Sequence, residues 1–324
     1  MLEKIIDFSI RNKLIVILFT LTIATFGIYA IIRIPVGAVP DITNNQVQVI
    51  TTSGNLSTQE IEQFITAPVE LEMANLPGVV EIRSISKFGL SVVTIVFRDQ
   101  MGAYLPRQLI AEKIKAASAN IPEGFGTPEM GPITTGLGEI YQYILDVKPG
   151  YEGKYSAMEL RTIQDWIVAP LLKPIPGVNE VNSFGGYVKQ YQVLLAPDKL
   201  LKYGLTTSEV VDAVERNNAN AGGGVVVRGW EQVYLRGVGL LKDIPDIERI
   251  VLKASDGAPV YLRDVAEVVI GGETRQGAVS RDGKGEVVAG MAIMLKGANS
   301  KDVVNRVKEA VGKMQGTLPP GVRV

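Results

Sequence analysis

The side chains that could do chemistry in this chain are few, and the missing ones are informative. The sequence has no His and no Cys. That removes the commonest metal ligand, the usual general base near neutrality and every thiolate site. No Ser-His, Cys-His or zinc-hydrolase constellation can be built from it. Carboxylates, carbonyls and Met thioethers remain to hold a cation. Carboxylates suit harder divalent ions and thioethers select Cu(I) and its like. Glu139 and Glu180 are the best-placed carboxylates, because both begin predicted strands that run parallel in one βαβ unit. Both should therefore sit at one end of a sheet. Ordinary solvation of strand ends is the competing explanation. Met291 and Met294 lie three apart on a predicted strand, so they point to opposite faces and cannot share an ion. Gly222-Gly223-Gly224 is no phosphate loop, since no Lys-Ser/Thr follows at a helix start. No nucleophile–base pair or cofactor loop is visible, so an enzyme is the least supported class.

The elements that would position these groups begin with an anchor. Leu14–Ile32 is an uncharged apolar run, and roughly twenty such residues span a bilayer core as a helix. Lys4, Arg11 and Lys13 precede it and Arg33 alone follows closely, which places the N-terminus on the cytoplasmic side. A secretory leader has a shorter apolar core and a small-x-small cleavage site, and Ile31-Ile32-Arg33-Ile34-Pro35 offers none. Upstream, Leu2, Ile5, Ile6 and Ile10 recur at helical spacing beside charged residues. That pattern suits a short helix lying in the headgroup plane, in contact with membrane lipid. The net charge of −1, with no long basic run, argues against nucleic acid as a partner.

Beyond the anchor the pattern is α+β. Asn45–Thr52 alternates as a strand, and Ser57-x-x-Glu60 opens a helix with a capping box. Ile61, Phe64, Ile65 and Val69 form its buried stripe, and Pro68 should kink it. A strand runs from the Leu76-Pro77-Gly78-Val79 turn through Ser84. Leu90–Phe97 returns as a strand, and a helix covers about Ala103–Ala119. The order β-α-β-β-α needs one more strand to complete a ferredoxin-like βαββαβ unit. The order then recurs. Glu139–Val147 is a strand, and Ser156-x-x-Glu159 caps a helix with Leu160, Ile163, Ile167 and Leu171 on one face. Ala169-Pro170 answers Ala67-Pro68, and Ile175-Pro176-Gly177-Val178 answers the earlier turn. Gly285–Lys296 is a strand and Ser300–Met314 a helix. Leu76 to Ile121 is 45 residues in the first copy, and Ile175 to Leu318 is 143 in the second. The excess of 98 falls in one β-hairpin, so a domain of about Tyr187–Lys284 replaces a tight turn.

Within the insert, Gln190–Leu195 is a strand and Thr206-x-x-Glu209 caps a helix. Asn217–Gly224 has high turn propensity, and Val225–Arg228 with Gln232–Arg236 forms a hairpin around Gly229-Trp230-Glu231. Val260–Ile270 closes the unit. The hairpin is either a solvated loop or an arm that reaches a neighbouring subunit.

The opening LEKIIDFSIRN, the anchor, RIPVGAVPDIT and the Pro77-Gly78-Val79 turn resemble the start of a resistance-nodulation-division (RND) efflux transporter. Gly131–Tyr141 (GPITTGLGEIY) and Val181–Gly186 (VNSFGG) are similar to its heavy-metal branch. The resemblance implies an interfacial helix at 1–13, a transmembrane helix at 14–34 and a periplasmic porter subdomain at 41–130. It implies a second porter subdomain at 131–186 and 285–324, with a docking subdomain inserted at 187–284. It implies a bacterial inner-membrane homotrimer that works with a periplasmic adaptor and an outer-membrane channel. Transport would be secondary and driven by proton antiport, with the metal as cargo and no resident cofactor. In the family the docking subdomain sends an arm into the next protomer. The matching stretch is Asn217–Tyr234, with Asn217, Gly223, Trp230 and Tyr234 as its marker residues. Zinc-type members use acidic residues in this region, and Glu139 in the LGEI motif matches such a position more closely than Glu180 does. Divalent zinc, cobalt, cadmium or nickel is then the expected cargo. Members of the family are longer, and their proton relay uses carboxylates in later membrane helices. The chain is therefore expected to be a transporter fragment without its relay. The alternatives are an RND pump for organic solutes, with a more aromatic cleft, and a membrane-anchored periplasmic binding or scaffold module.

Overall fold

The computed structural model describes residues 2–34, 43–54, 56–133, 135, 138–255, 257–275, 277–283 and 285–324. Most of the RIPVGAVPDIT motif, three residues of the stretch Gly131–Tyr141, and Lys284 at the edge of the insert lie outside them. Two helices open the chain, α1 (Leu2–Arg11) and α2 (Lys13–Arg33). At 1.5 Å per residue α2 is about 31 Å long, and it is long and apolar enough to cross a membrane. The hydroxyls of Thr20, Thr22 and Thr25 donate to the carbonyls of Val16, Leu18 and Leu21 at 2.8–2.9 Å. These side chains therefore carry no unpaired donor into an apolar phase.

A βαββαβ unit follows. Its elements are β1 (Asn45–Thr52), α3 (Thr58–Ile61), α4 (Ala67–Ala74), β2 (Val79–Lys87), β3 (Leu90–Phe97), α5 (Tyr104–Ala119) and β4 (Glu129–Met130). The sheet order is β2-β3-β1-β4 and every pairing is antiparallel. Alternation drives one face of β1 and β3 into the core, with Val47, Val49, Val93, Ile95 and Phe97 buried against Ile61, Ile65, Val69, Met73 and Ile110. The helix carries its stripe every fourth residue from Ile61 to Met73. That spacing fits a widened turn, and Glu62–Thr66 between α3 and α4 is a π turn. The Ala67 N–H reaches Glu62 O, five residues back. Pro68 has no N–H and would crowd the carbonyl four residues before it. The π turn absorbs that conflict, so the helix runs past Pro68 to Ala74.

The second copy has β5 (Glu139–Val147), α6 (Ala157–Ile163), a π turn at Gln164–Val168, α7 (Ala169–Leu172) and β6 (Val178–Phe184). The same Ala-Pro step follows the same π turn. The insert then holds β7 (Lys189–Leu195), α8 (Pro197–Tyr203), α9 (Thr207–Arg216), β8 (Ala221–Arg228) and β9 (Glu231–Gly237). It continues with α10 (Ile244–Glu248), β10 (Val251–Ser255), β11 (Ala258–Tyr261), α11 (Leu262–Val265) and β12 (Ala266–Gly272). The copy closes with β13 (Val288–Met294), α12 (Ser300–Met314) and β14 (Val322–Arg323), in the sheet order β14-β5-β13-β6. Read from β4 and from β14, the two sheets share one strand order.

The chain divides into two compact units. One comprises Met1–Gly150, Gln164–Phe184 and Ala289–Val324. The other comprises Tyr151–Ile163 and Gly185–Val288, so it takes in a helix upstream of the expected insert. Its core gathers Leu200, Val210, Ala213, Ile247, Val260, Leu262, Val265 and Val268. Val260–Ile270 closes the unit through β11, α11 and β12, and Asp264 accepts the Tyr261 N–H at 2.8 Å and caps the helical turn α11. One local expectation changes. Ala221–Gly224 is not a turn but the start of β8, with a register shift between Gly222 and Val225 that takes up the glycines.

Candidate functional site

The faces of the second sheet are fixed by one buried polar contact. Gln164 is fully buried in its π turn, and its Nε2 donates to the Tyr143 hydroxyl at 2.9 Å and to Ser183 Oγ at 3.3 Å. Burial pushes the Tyr143 phenol up to about 12. Gly290 on β13 leaves room for the ring, since a Cβ there would lie 2.2 Å from Tyr143 Cζ. Tyr143, Ser183 and Gly290 therefore mark the helix-covered face.

Counting by twos along β5, Glu139 falls on that same face, beyond Tyr141 and Tyr143, and it is exposed. Glu180 stands three residues from Ser183, so it faces the open side. It is half-buried opposite Ile293, and Asn182 sits beside it opposite Met291. β13 lies between β5 and β6, so the two carboxylates are two strand spacings apart, about 10 Å. The expectation that both sit at one end of the sheet stands, but they lie on opposite faces. One ion cannot take both as ligands, because metal–oxygen bonds of about 2 Å would need them on one side. Among the described residues no group of three or more His, Cys, Asp or Glu could hold a metal ion. The open face offers Glu180, Asn182, Gln142 and Met291 instead: one carboxylate, two amides and a thioether. Sequence reasoning missed the amides. The signal was period two in VNEVNSF, which puts Glu180, Asn182 and Phe184 on one face. On the first sheet a shallow cleft of about 430 Å³ carries one carboxylate, Glu129, which pairs with Ile50 across β4 and β1.

The arm residues sit on or beside one hairpin. Among the described residues β8 and β9 pair only with each other, and every residue in them is exposed. Eight residues of strand reach about 26 Å. Trp230 stands at the tip with no cover, Tyr234 pairs across from Val225, and Val227 and Leu235 are also bare. The missing Cβ of Gly223 lets Leu235 close in, since a Cβ there would lie 2.7 Å from that of Leu235. Asn217 ends α9 and donates to Ala213 O at 2.8 Å. Asn218 and Asn220 accept from the Leu241 and Gly239 N–H groups at 3.2 and 3.1 Å, which ties the base of the hairpin. A bare apolar hairpin of this length is a surface for contact with protein or membrane.

Where the chain enters and leaves its second unit, one carboxylate gathers three segments. Glu286 accepts from the Gly186 N–H at 3.0 Å and from the Arg275 guanidinium, which stacks 4.4 Å over the Tyr187 ring. The bond from Arg275 holds the Glu286 carboxyl below its ordinary range.

The chain matches the family described as AcrB/AcrD/AcrF over residues 5–324. It is 47% identical over 324 residues to Protein HelA of Legionella pneumophila, covering 99% of this chain and 31% of that protein. It is 43% identical to the cobalt-zinc-cadmium resistance protein CzcA of Cupriavidus metallidurans and 38% identical to the cation efflux system protein CusA of Escherichia coli. Each of those alignments covers 100% of this chain and 31% of the relative. A crystal structure of a heavy metal efflux pump superimposes with a TM-score of 0.87 at 35% identity, over 98% of this chain and 31% of that one. The chain thus spans about a third of the length of the relatives it matches.

Proposed function

Because the chain belongs to the AcrB/AcrD/AcrF family, we propose that it is the N-terminal part of an RND transporter that exports heavy-metal cations. The likeness over nearly the whole chain to a heavy metal efflux pump carries this reading. In it, α1 lies on the cytoplasmic side of the inner membrane, α2 crosses, and the rest is periplasmic. The two βαββαβ units are ferredoxin-like porter subdomains, and the insert between β6 and β13 is the docking subdomain. The protein is a homotrimer, and the β8–β9 arm, with Gly223, Trp230 and Tyr234 on it and Asn217 near its base, reaches the next protomer. A periplasmic adaptor and an outer-membrane channel complete the path. Proton-motive force drives export through residues outside this chain, and the metal is cargo rather than a cofactor.

Oxygen donors favour a divalent cargo such as zinc, cobalt, cadmium or nickel. Glu180 on the open face, supported by Asn182, would contact the ion directly. Glu139 on the other face would act as a separate ligand at the same end of the sheet. The open face mixes Glu180, Asn182 and Gln142 with Met291, Ile293 and Phe184, so the preference for a cation over an organic solute rests on the likeness to a heavy metal efflux pump. The test uses cells without their own metal exporters that express the complete reading frame carrying this chain. Retained zinc, cobalt, cadmium, nickel, copper and silver are measured. A fall in one divalent ion supports the reading. A fall in copper or silver alone moves the ligands to thioethers, and no change in any metal moves the cargo to organic solutes.

A further inference from the structure

The side chain of Asn299 faces two ways. Its Oδ1 accepts from the Lys301 and Asp302 N–H groups at 3.1 and 3.4 Å, which caps α12. Its Nδ2 donates to the carbonyl of Ile34 at 3.5 Å, across 265 residues of sequence. Ile34 is the residue at which α2 ends. The last carbonyls of a helix have no partner within it, so an outside donor is well used there. Asp caps a helix as well as Asn does, but an ionised Asp has no proton to donate.

The turn that precedes Asn299 is bonded to the starts of both carboxylate strands. The Met294 N–H donates to Gly138 O at 2.7 Å, next to Glu139. The Leu295 N–H donates to Gly177 O at 2.9 Å, just before β6 and Glu180. The Ala298 N–H closes the turn on Leu295 O at 3.1 Å. Asn299 is bonded to the end of α2, and the backbone of residues 294–299 joins it to the turn that is bonded to the end of the sheet carrying Glu139 and Glu180. We propose that Asn299 is a positioning residue that ties the exit of the apolar helix α2 to that end of the second sheet, so that displacement of α2 reaches the two carboxylates. The proposal rests on the metal-export reading for its consequence, but not for the tie itself.

The test separates the cap from the tie in the complete reading frame, with a nitroxide on Ile34→Cys after any Cys outside this Cys-free chain is replaced by Ser. Asn299→Asp keeps the cap and removes the donor, whereas Asn299→Ala removes both. The expected result for Asn299→Asp is unchanged exchange protection at the Lys301 and Asp302 amides, with a more mobile label at position 34. Asn299→Ala should lose the protection as well. A label as immobile in Asn299→Asp as in the parent overturns the tie. Metal retention in unlabelled cells then tests the consequence. Retention should rise several-fold in Asn299→Asp, and parental retention would reduce Asn299 to a helix cap. If the parent itself lowers no metal, the export reading fails, while the label still decides the tie.

Discussion

Replacing Tyr143 by Phe should cost stability in a way that fades with rising pH. At neutral pH the phenol accepts from Gln164 inside the core, at 2.9 Å. Removing it leaves a buried amide with Ser183 alone, at a cost of about 1–3 kcal/mol. Above pH 10 that cost shrinks. In the unfolded chain Tyr143 ionises near 10, whereas burial holds the folded phenol neutral up to about 12. A folded value above the unfolded one means that this contribution is complete below pH 10. It is lost as pH rises through 12. Two units at 1.36 kcal/mol each make the loss roughly 3 kcal/mol. The Phe variant has no such loss, and the other tyrosines titrate in both proteins and cancel in the difference. The parent should therefore be the more stable protein at pH 8, and its advantage should shrink by about 2 kcal/mol by pH 12. Urea midpoints followed by far-ultraviolet circular dichroism give the assay. A difference between the two proteins that stays constant from pH 9 to pH 12 would refute the reasoning.

Four other substitutions probe the parts that hold the sites. Gly290→Ala should destabilise the second sheet by about 1–3 kcal/mol, because its Cβ would meet the Tyr143 ring at 2.2 Å. Gly312→Ala, exposed in α12 with nothing within 4 Å, should gain up to about 1 kcal/mol in the same urea titrations. Ser57→Ala should lower stability by about 1 kcal/mol near neutrality. The Ser57 hydroxyl and N–H hold the Glu60 carboxyl below its ordinary value, so the cost should shrink as acid protonates Glu60 below that range, leaving the part due to the Glu60 N–H bond to the hydroxyl. Glu286→Gln should speed exchange of the Gly186 amide many-fold, and unchanged protection would show that the backbone alone makes that corner.

Much of the fold was legible because its signals are local. Asn45–Thr52, Leu90–Phe97, Glu139–Val147 and Ser300–Met314 have the bounds that periodicity gives them. Ser57, Ser156 and Thr206 make the reciprocal bonds that their capping boxes announce. What failed depended on competition between local rules. The π turn before Pro68 was hidden because a stripe at every fourth residue also suits an ordinary helix. Glycines at 222–224 read as a turn until a partner strand with a register shift takes them up. The candidate site was half legible. That Glu139 and Glu180 share a sheet end followed from strand direction. That they face opposite sides required a fixed reference on each strand, which the Tyr143–Gln164–Ser183 contact supplies. Asn182 was open to the same parity count. Asn299 was not, because its partner lies 265 residues away.

The most direct measurement is metal transport by the complete reading frame reconstituted in liposomes, with a metal-sensitive dye on the far side and an imposed pH gradient. The expected result is gradient-dependent passage of one divalent metal, abolished or strongly slowed by Glu180→Gln and weakened separately by Glu139→Gln. Passage that ignores both substitutions would remove the carboxylates of this chain from the path. No passage of any metal under a gradient that moves an organic solute would contradict heavy-metal export itself.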